Sequence, residues 1–204
     1  MATEHRSSAE RKEQTRRALL DGALRLASER GFAGVSLREI ARSADIVPTA
    51  FYRHFESLDD LGLTLVDEAT RAVRSSLRDS RRTGASANER LGVFIDHVRA
   101  QPELFRFVYR ERYGGSPRVQ RAIETELRLV AADISVDLSR LPNTATWDTD
   151  DLAMAADLIV SAMLGAIAGY LAADVKDQPD VLAQTGKQLR LILVGVTGWK
   201  PQAD

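Results

Sequence analysis

Residues 35–55, VSLREIARSADIVPTAFYRHF, gather the side chains whose types and spacing point most directly to a chemistry. Val47, Pro48, Thr49 and Ala50 are small, so a backbone carrying them can approach a partner closely. The Thr and Ala methyls also suit the thymine methyl displayed in the DNA major groove. Tyr52, Arg53 and His54 follow directly and supply hydroxyl, guanidinium and imidazole donors of the kind that hold phosphates. Ser36 and Glu39 have the S-x-x-E spacing of a capping box, which starts a helix whose N-terminus suits an anion. Each feature also has a plain structural use. The capping box starts a helix without DNA, Phe51 and Phe55 suit the anchors of a small core, and Tyr52 and His54 suit an ordinary surface.

Catalysis finds no such footing. His5, His54 and His97 fall in three separate segments, and no H-x-x-x-H or H-E-x-x-H pattern exists. The absence of cysteine excludes disulfide scaffolds, thiolate zinc sites, iron–sulfur clusters and thiol nucleophiles. Gly114-Gly115 is too short to cradle a phosphate, and no G-x-G-x-x-G or P-loop occurs. Asp150-Asp151 reads as a pair of helix-start acids.

The 204 residues, 44% hydrophobic and 28% charged, suit a globular chain of one large domain or two modest ones. The net charge of −1 names no partner by itself, but it is unevenly distributed. Residues 1–55 carry ten Lys/Arg against seven Asp/Glu, and residues 56–204 carry eighteen against twenty-two. A basic head on an acidic body keeps nucleic acid in view. The N-terminus lacks the apolar stretch of a secretion signal. The 16 uncharged residues Leu158–Ala173 fall short of a span, which needs about 20. They read as a buried helix of a cytoplasmic protein with no membrane partner.

The elements that must position this chemistry are helical nearly throughout, with no alternation long enough for a strand. A polar arm (1–9) precedes a helix from about Ala9 to Glu29, ended by Gly31. A short helix, Leu37 to Ser43, is separated by Ala44-Asp45-Ile46 from another over Val47–Phe55, which makes a helix-turn-helix. Its second helix is the one expected in the major groove. Asp45 sits where such turns favour glycine, and Asp tolerates a left-handed backbone.

A long helix runs from Ser57 to about Arg82, burying Leu58, Leu61, Leu65, Ala69, Ala72, Val73 and Leu77. After a turn at 83–88 come a helix marked by Leu91, Phe94, Ile95 and Val98, and one from Pro102 to about Glu111. Ser116-Pro117 starts a heptad-like seam of Val119, Ile123, Leu127, Val130, Ile134, Leu138 and Leu141. Two last helices, about 149–173 and 178–199, complete nine. The first is apolar nearly all round and rich in small residues, as suits a core helix that also meets another subunit.

Residues 11–65 resemble the DNA-binding domain of the TetR family of one-component repressors. The match lies in S-L-R-E-I-A (36–41), P-T-A-F-Y-R-H-F (48–55) and the long helix that follows. The family usually has Lys where this chain has Leu58, so that phosphate contact is in doubt. Leu58-Asp59-Asp60-Leu61-Gly62-Leu63 instead resembles the FabR and DesT repressors of unsaturated fatty-acid synthesis. So do Gln101–Arg106 and Tyr109–Arg112.

The resemblance implies an all-α fold with a DNA-binding domain over 1–55 and a regulatory, dimerising domain over 56–204. It implies a homodimer joined by its last two helices, on a double-stranded palindromic operator. Arg38, Pro48, Thr49 and Ala50 would lie near base edges, while Ser36, Tyr52, Arg53 and His54 would hold phosphates. Arg16 and Arg17 would lend only electrostatic help. It implies no enzyme activity, cofactor or metal, but a hydrophobic effector, a long-chain acyl-CoA or acyl-carrier-protein thioester. Phe94, Val98, Phe105, Val108, Tyr109, Ile134 and Met163 would wall its tunnel, with Arg110 and Arg112 at its polar end. Each has an ordinary use in core packing or ion pairing. Two rivals stand beside this reading: a repressor responding to a drug-like or aromatic compound, and an apolar-ligand carrier or enzyme with no DNA role.

Overall fold

A computed structural model describes residues 7–82, 86–144 and 147–199. His5 and most of the polar arm, together with residues 83–85 of the turn, lie outside the described residues. Among those described there are nine α-helices and no strand. They are α1 (Ser8–Arg30), α2 (Leu37–Ser43), α3 (Pro48–Phe51), α4 (Leu58–Arg82), α5 (Ala87–Ala100), α6 (Pro102–Gly114), α7 (Pro117–Leu138), α8 (Thr149–Ala172) and α9 (Gln178–Gly198). Short 3₁₀ turns occupy Phe32–Gly34 and Pro142–Thr144.

Local chemistry accounts for the helix ends. Full capping boxes start three helices: Ser7 with Glu10, Ser36 with Glu39, and Ser86 with Glu89. Each satisfies orphan N–H groups at both the cap and the third helical position. Ser116 caps α7 ahead of Pro117 by accepting from the Val119 N–H. Asp148 caps α8 by accepting from the N–H groups of Asp150 and Asp151, both acids of its first turn. Gly31 ends α1 at φ 81°, where a side chain would be strained.

Three apolar clusters hold the bundle. The first joins α1, α2 and α3 to Leu61 and Leu65 of α4, Leu104 and Phe107 of α6, and Val119 and Ile123 of α7. The basic head is therefore packed directly on the body, without a linker. Gly62 permits this closeness: a Cβ there would stand 2.8 Å from Val119 and 2.9 Å from the Phe32 ring. The second cluster joins α4, α5, α6, α8 and α9 around Phe94, Ile95, Val98 and Phe105. The third closes the far end with Ala131, Leu138, Leu152, Ala156 and Val196.

Helix α8 is long and apolar enough to cross a membrane by length and composition, yet it packs against α6, α7 and α9. One face is buried through Leu152, Ala155, Ala156, Leu164, Ala166, Ile167 and Tyr170. The other leaves Met154 and Leu158 exposed. Part of the α9 apolar stripe serves the chain's own core. Leu189 and Val196 are buried, with Leu182 and Ile192 packed beside them and Leu193 half-buried. Leu191 and Val194 face outward, 73% and 60% exposed.

Candidate functional site

The turn between α2 and α3 is set by backbone hydrogen bonds. The Ile46 N–H donates to the Ala41 carbonyl at 3.0 Å, and the Asp45 N–H donates to that of Arg42 at 3.1 Å. This Schellman pairing requires a left-handed residue, and Asp45 takes that role at φ 55°. Phe51 and Phe55 are buried beneath the turn. They are anchors, as their apolar spacing allowed, and the ring of Phe55 carries the Arg16 guanidinium 4.8 Å above it.

Anchoring that face pushes the other one out. Val47 and Tyr52 are 64% and 63% exposed, and Ser36, Arg38, Pro48, Thr49 and Arg53 are exposed too. Ala50 and His54 are half-buried. Regular α-helix covers only Pro48–Phe51, with Tyr52–His54 continuing as a tighter turn. There the Arg53 and His54 N–H groups reach back three residues, to Ala50 and Phe51.

Two polar details bear on this face. The Ser36 hydroxyl donates to Glu39 Oε2 at 2.7 Å, the Ser36 N–H donates to the same oxygen at 3.0 Å, and Arg30 pairs with Oε1 at 2.6 Å. In the free protein the anion at the start of α2 is thus Glu39 itself. These hydrogen bonds from Ser36, with the Arg30 guanidinium behind them, pull its carboxyl down to about 2. The capping box therefore persists as pH falls until about 2. His54 is held below its ordinary range, first by partial burial and then by Lys12, Arg16 and Arg53. Its Nδ1 is buried without a hydrogen-bond partner among the described residues. Arg17, by contrast, is spoken for, lying between Asp21 at 3.0 Å and Glu68 at 3.1 Å.

Within the body, α4, α5, α6, α7 and α8 enclose an apolar cavity of about 90 Å³. Of the expected wall residues, Phe94, Phe105, Val108, Ile134 and Met163 line it. Val66, Ala69, Thr70, Val73, Leu127 and Val130 join them, and Glu126 is the one ionisable residue on the wall among the described residues. Thr70 spends its hydroxyl on the Val66 carbonyl at 2.9 Å. Glu126 meets Arg74 at 3.5 Å.

Four of the expected ligand residues stand elsewhere. Val98 is fully buried in the second cluster, and Tyr109 packs against that cluster beside the cavity. Arg110 reaches back to donate to the Ser28 carbonyl at the end of α1. Arg112 lies over the Tyr113 ring, 4.5 Å from its centroid. A long side chain on a correctly placed helix can leave in several directions, which spacing does not decide.

Beside Arg110, Glu111 makes a contact that sequence reasoning missed. Its side chain is 2% exposed, and Oε1 accepts from the Phe32 N–H at 3.0 Å. The Phe32 and Phe107 rings meet edge to face, 5.4 Å apart. Together these contacts fasten α6 to the junction of α1 and α2. The signal was present, since Leu104, Phe107 and Glu111 share one helical stripe and a carboxylate there must be buried.

A helix-turn-helix with its second helix outermost, mounted on a helical bundle around an apolar cavity, defines the class of small one-component regulators. Residues 19–63 match the family of bacterial regulatory proteins, tetR family, and residues 85–195 match the tetracyclin repressor-like C-terminal domain. The chain belongs to the TetR family and is a transcriptional regulator of that family. Solved structures share the fold at low identity. A TetR-family transcriptional regulator from Streptomyces coelicolor is 21% identical, with TM-score 0.70, over 91% of this chain and 97% of that one. FadR from Bacillus subtilis in complex with stearoyl-CoA is 17% identical, with TM-score 0.68, over 88% and 98%. FadR from Thermus thermophilus in complex with lauroyl-CoA is 19% identical, with TM-score 0.60, over 92% and 97%.

Proposed function

We propose that this chain is a cytoplasmic, homodimeric repressor that binds a palindromic operator and senses long-chain acyl thioesters, controlling genes of fatty-acid metabolism. The observation that carries the reading is the pairing of an outward recognition helix with a cavity whose wall, among the described residues, is apolar except for Thr70 and Glu126. The FabR/DesT-like motifs at 58–63, 101–106 and 109–112 support it, as do the acyl-CoA complexes of two similar folds. The DNA-binding unit is 1–55, and the regulatory and dimerising unit is 56–204. In the dimer, Met154 and Leu158 of α8 and Leu191 of α9 are exposed apolar residues that would face a second copy. Light scattering tests this, since a dimer has twice the mass of the 22.5 kDa chain.

Arg38, Pro48, Thr49 and Ala50 face base edges in this reading, with Val47 part of the same DNA-binding stretch, and Ser36, Tyr52, Arg53 and His54 face phosphates. Arg53→Ala then lowers the salt slope of operator binding by about one unit. His54 supplies a pH signature. Partial burial first, and then the positive charge of Lys12, Arg16 and Arg53, lowers its affinity for a proton, and a phosphate beside it would offset that charge and raise the affinity again. The complex then takes up a proton that the free protein does not hold, so affinity rises as pH falls from 8 toward 6. His54→Gln removes that pH dependence. An unchanged pH profile in the variant would take His54 off the phosphate backbone.

The effector test uses the cavity itself. Ala69 is buried on α4 and lines the cavity, so Ala69→Leu fills the space with a side chain already at home in a helix. Operator affinity of the ligand-free variant stays within about threefold of wild type, as expected for a site remote from the DNA face. The response to palmitoyl-CoA, read by titrating complexes with DNA from the protein's own upstream region, is lost. A compact aromatic effector is the second reading, favoured by the cavity's volume of about 90 Å³. It prevails if wild-type complexes ignore saturated and cis-unsaturated acyl thioesters alike. A protein that retards no DNA at low salt would remove the repressor reading altogether.

A further inference from the structure

Two helix starts lie beside the exposed face of α3, and each already carries its own acid. At α2 the Ser36 N–H and hydroxyl are taken by Glu39. At α4 the Glu56 N–H donates to Asp60 Oδ2 at 3.0 Å, and the Asp60 N–H donates to Ser57 Oγ at 3.1 Å. Asp59 accepts from the Ser116 hydroxyl at 2.7 Å. Glu39, Asp59 and Asp60 thus set negative charge where a helix dipole would otherwise favour an anion. A phosphate near this face must find its cations elsewhere.

Helix α1 supplies them. Arg16 lies over the Phe55 ring, 4.8 Å from its centroid, and that ring is buried against Phe51 at 5.7 Å. A guanidinium stacked on a fixed ring is held in one place, here beside the residue that follows His54. Lys12 is exposed one turn earlier on the same side of α1, at the i, i+4 spacing. After partial burial, the charges that lower the proton affinity of His54 are those of Lys12, Arg16 and Arg53, with Glu13 opposing them more weakly. The four side chains therefore gather around the end of the recognition turn. Their cations are also unspent. Arg17 is paired with Asp21 and Glu68, and Arg30 with Glu39. Lys12, Arg16 and Arg53 meet no carboxylate within ion-pair distance among the described residues.

We propose that Lys12 and Arg16 join Arg53 in gripping the DNA backbone directly, as a three-cation clamp just past the C-terminal end of α3. The clamp rests on the reading of α3 as the helix in the major groove and adds the contacts that fix how it sits there. Base contacts specify sequence, whereas phosphate contacts set register and orientation and carry no sequence information. Arg16 presents a planar fork from a rigid support, and Lys12 a mobile point charge. Arg25 is exposed on the same helix, but nine residues on from Arg16 it lies about half a revolution round. It takes no part.

The test is fluorescence anisotropy with two labelled duplexes across a salt series: DNA from the protein's own upstream region, and a scrambled duplex of equal length and composition. Each lost phosphate contact removes about 0.9 unit of salt slope per bound chain. Lys12→Gln with Arg16→Gln therefore lowers the slope by about 1.8 units per chain and weakens both duplexes alike, at least about tenfold near 0.1 M salt. Arg25→Gln removes the same charge elsewhere on α1 and leaves slope and affinity at wild-type values. Melting temperatures check folding. Should loss of the Arg16 ring contact unfold the double variant, Lys12→Gln alone at its exposed site shows half the fall in slope. A wild-type slope in the folded variants, or an equal fall in Arg25→Gln, would overturn the clamp and leave the recognition-helix reading standing. Weakening confined to the upstream duplex would make these residues base readers and overturn the clamp as well. Wild type that binds neither duplex at low salt would overturn both.

Discussion

Thr49→Asp abolishes operator binding at working concentrations, weakening it by well over tenfold, while leaving the fold intact. Thr49 is exposed on α3, one position after Pro48, and its side chain does nothing for the core. An acid in the first turn of a helix is favoured by the dipole, and Val47 provides no side-chain cap that it could displace. Stability should therefore change by no more than about 0.5 kcal/mol. With α3 in the groove as proposed, the same carboxylate would meet the dense negative charge of the DNA and forfeit the methyl contact that Thr49 would make there. A single good base contact contributes about 1–3 kcal/mol of discrimination, and repulsion adds to that loss. Gel retardation and thermal melting on the same preparation separate the two effects. Wild-type affinity in a folded variant would remove α3 from the groove.

Glu111→Ala lowers the melting temperature and weakens the passage of signal from cavity to DNA face. Removing the carboxylate strands the buried Phe32 N–H, at about 1–3 kcal/mol. For a chain of this size that is a fall of roughly 2–4 °C per kcal/mol. The functional effect follows from what else α6 carries. Phe105 and Val108 on this helix line the inner cavity, and Arg110 and Glu111 further along it grip Ser28 and Phe32. A ligand that shifts α6 thereby pulls on the segment leading into α2. With the grip loosened, the effector should still bind, but the change it causes in operator affinity should shrink. Glu111→Gln keeps an oxygen for the Phe32 N–H and should recover most of the stability. Tm and effector response both unchanged in Glu111→Ala would show that this contact carries neither load.

Helix ends were legible because they are local. Ser36 with Glu39, Ser116 with Pro117, and Asp150-Asp151 act within four residues of chain, and the structure shows each at a helix start. Two more capping boxes, Ser7 with Glu10 and Ser86 with Glu89, had the same S-x-x-E spacing and could have been read from it. The left-handed turn residue was legible for a similar reason: three residues between two short helices force a reversal, and Asp45 suits it. Burial was legible as a stripe, as on α4, where Leu61, Leu65, Ala69 and Ala72 are all buried.

What the stripes left open is which neighbour each one meets. Val98 and Phe94 stand four apart on α5 with the same apolar character. In the packed bundle Val98 is fully buried in the second cluster, and the void lies at Phe94. The α9 stripe of Leu189 and Val196 could serve its own bundle or a second subunit, and only packing against α5 and α8 decided for the former. Arg110 and Arg112 had the right charge for a polar end of the cavity, but the position of α1 drew one away and Tyr113 the other. Arg81 on α4, Arg90 on α5 and Arg140 just past α7, up to 59 positions apart, instead line a chamber that also touches Leu77, Phe94, Ile134 and Met163. Periodicity of 3.6 residues determines which face of a helix is apolar. A cavity is a mismatch of volumes among several such faces, so it exists only once the helices have crossed.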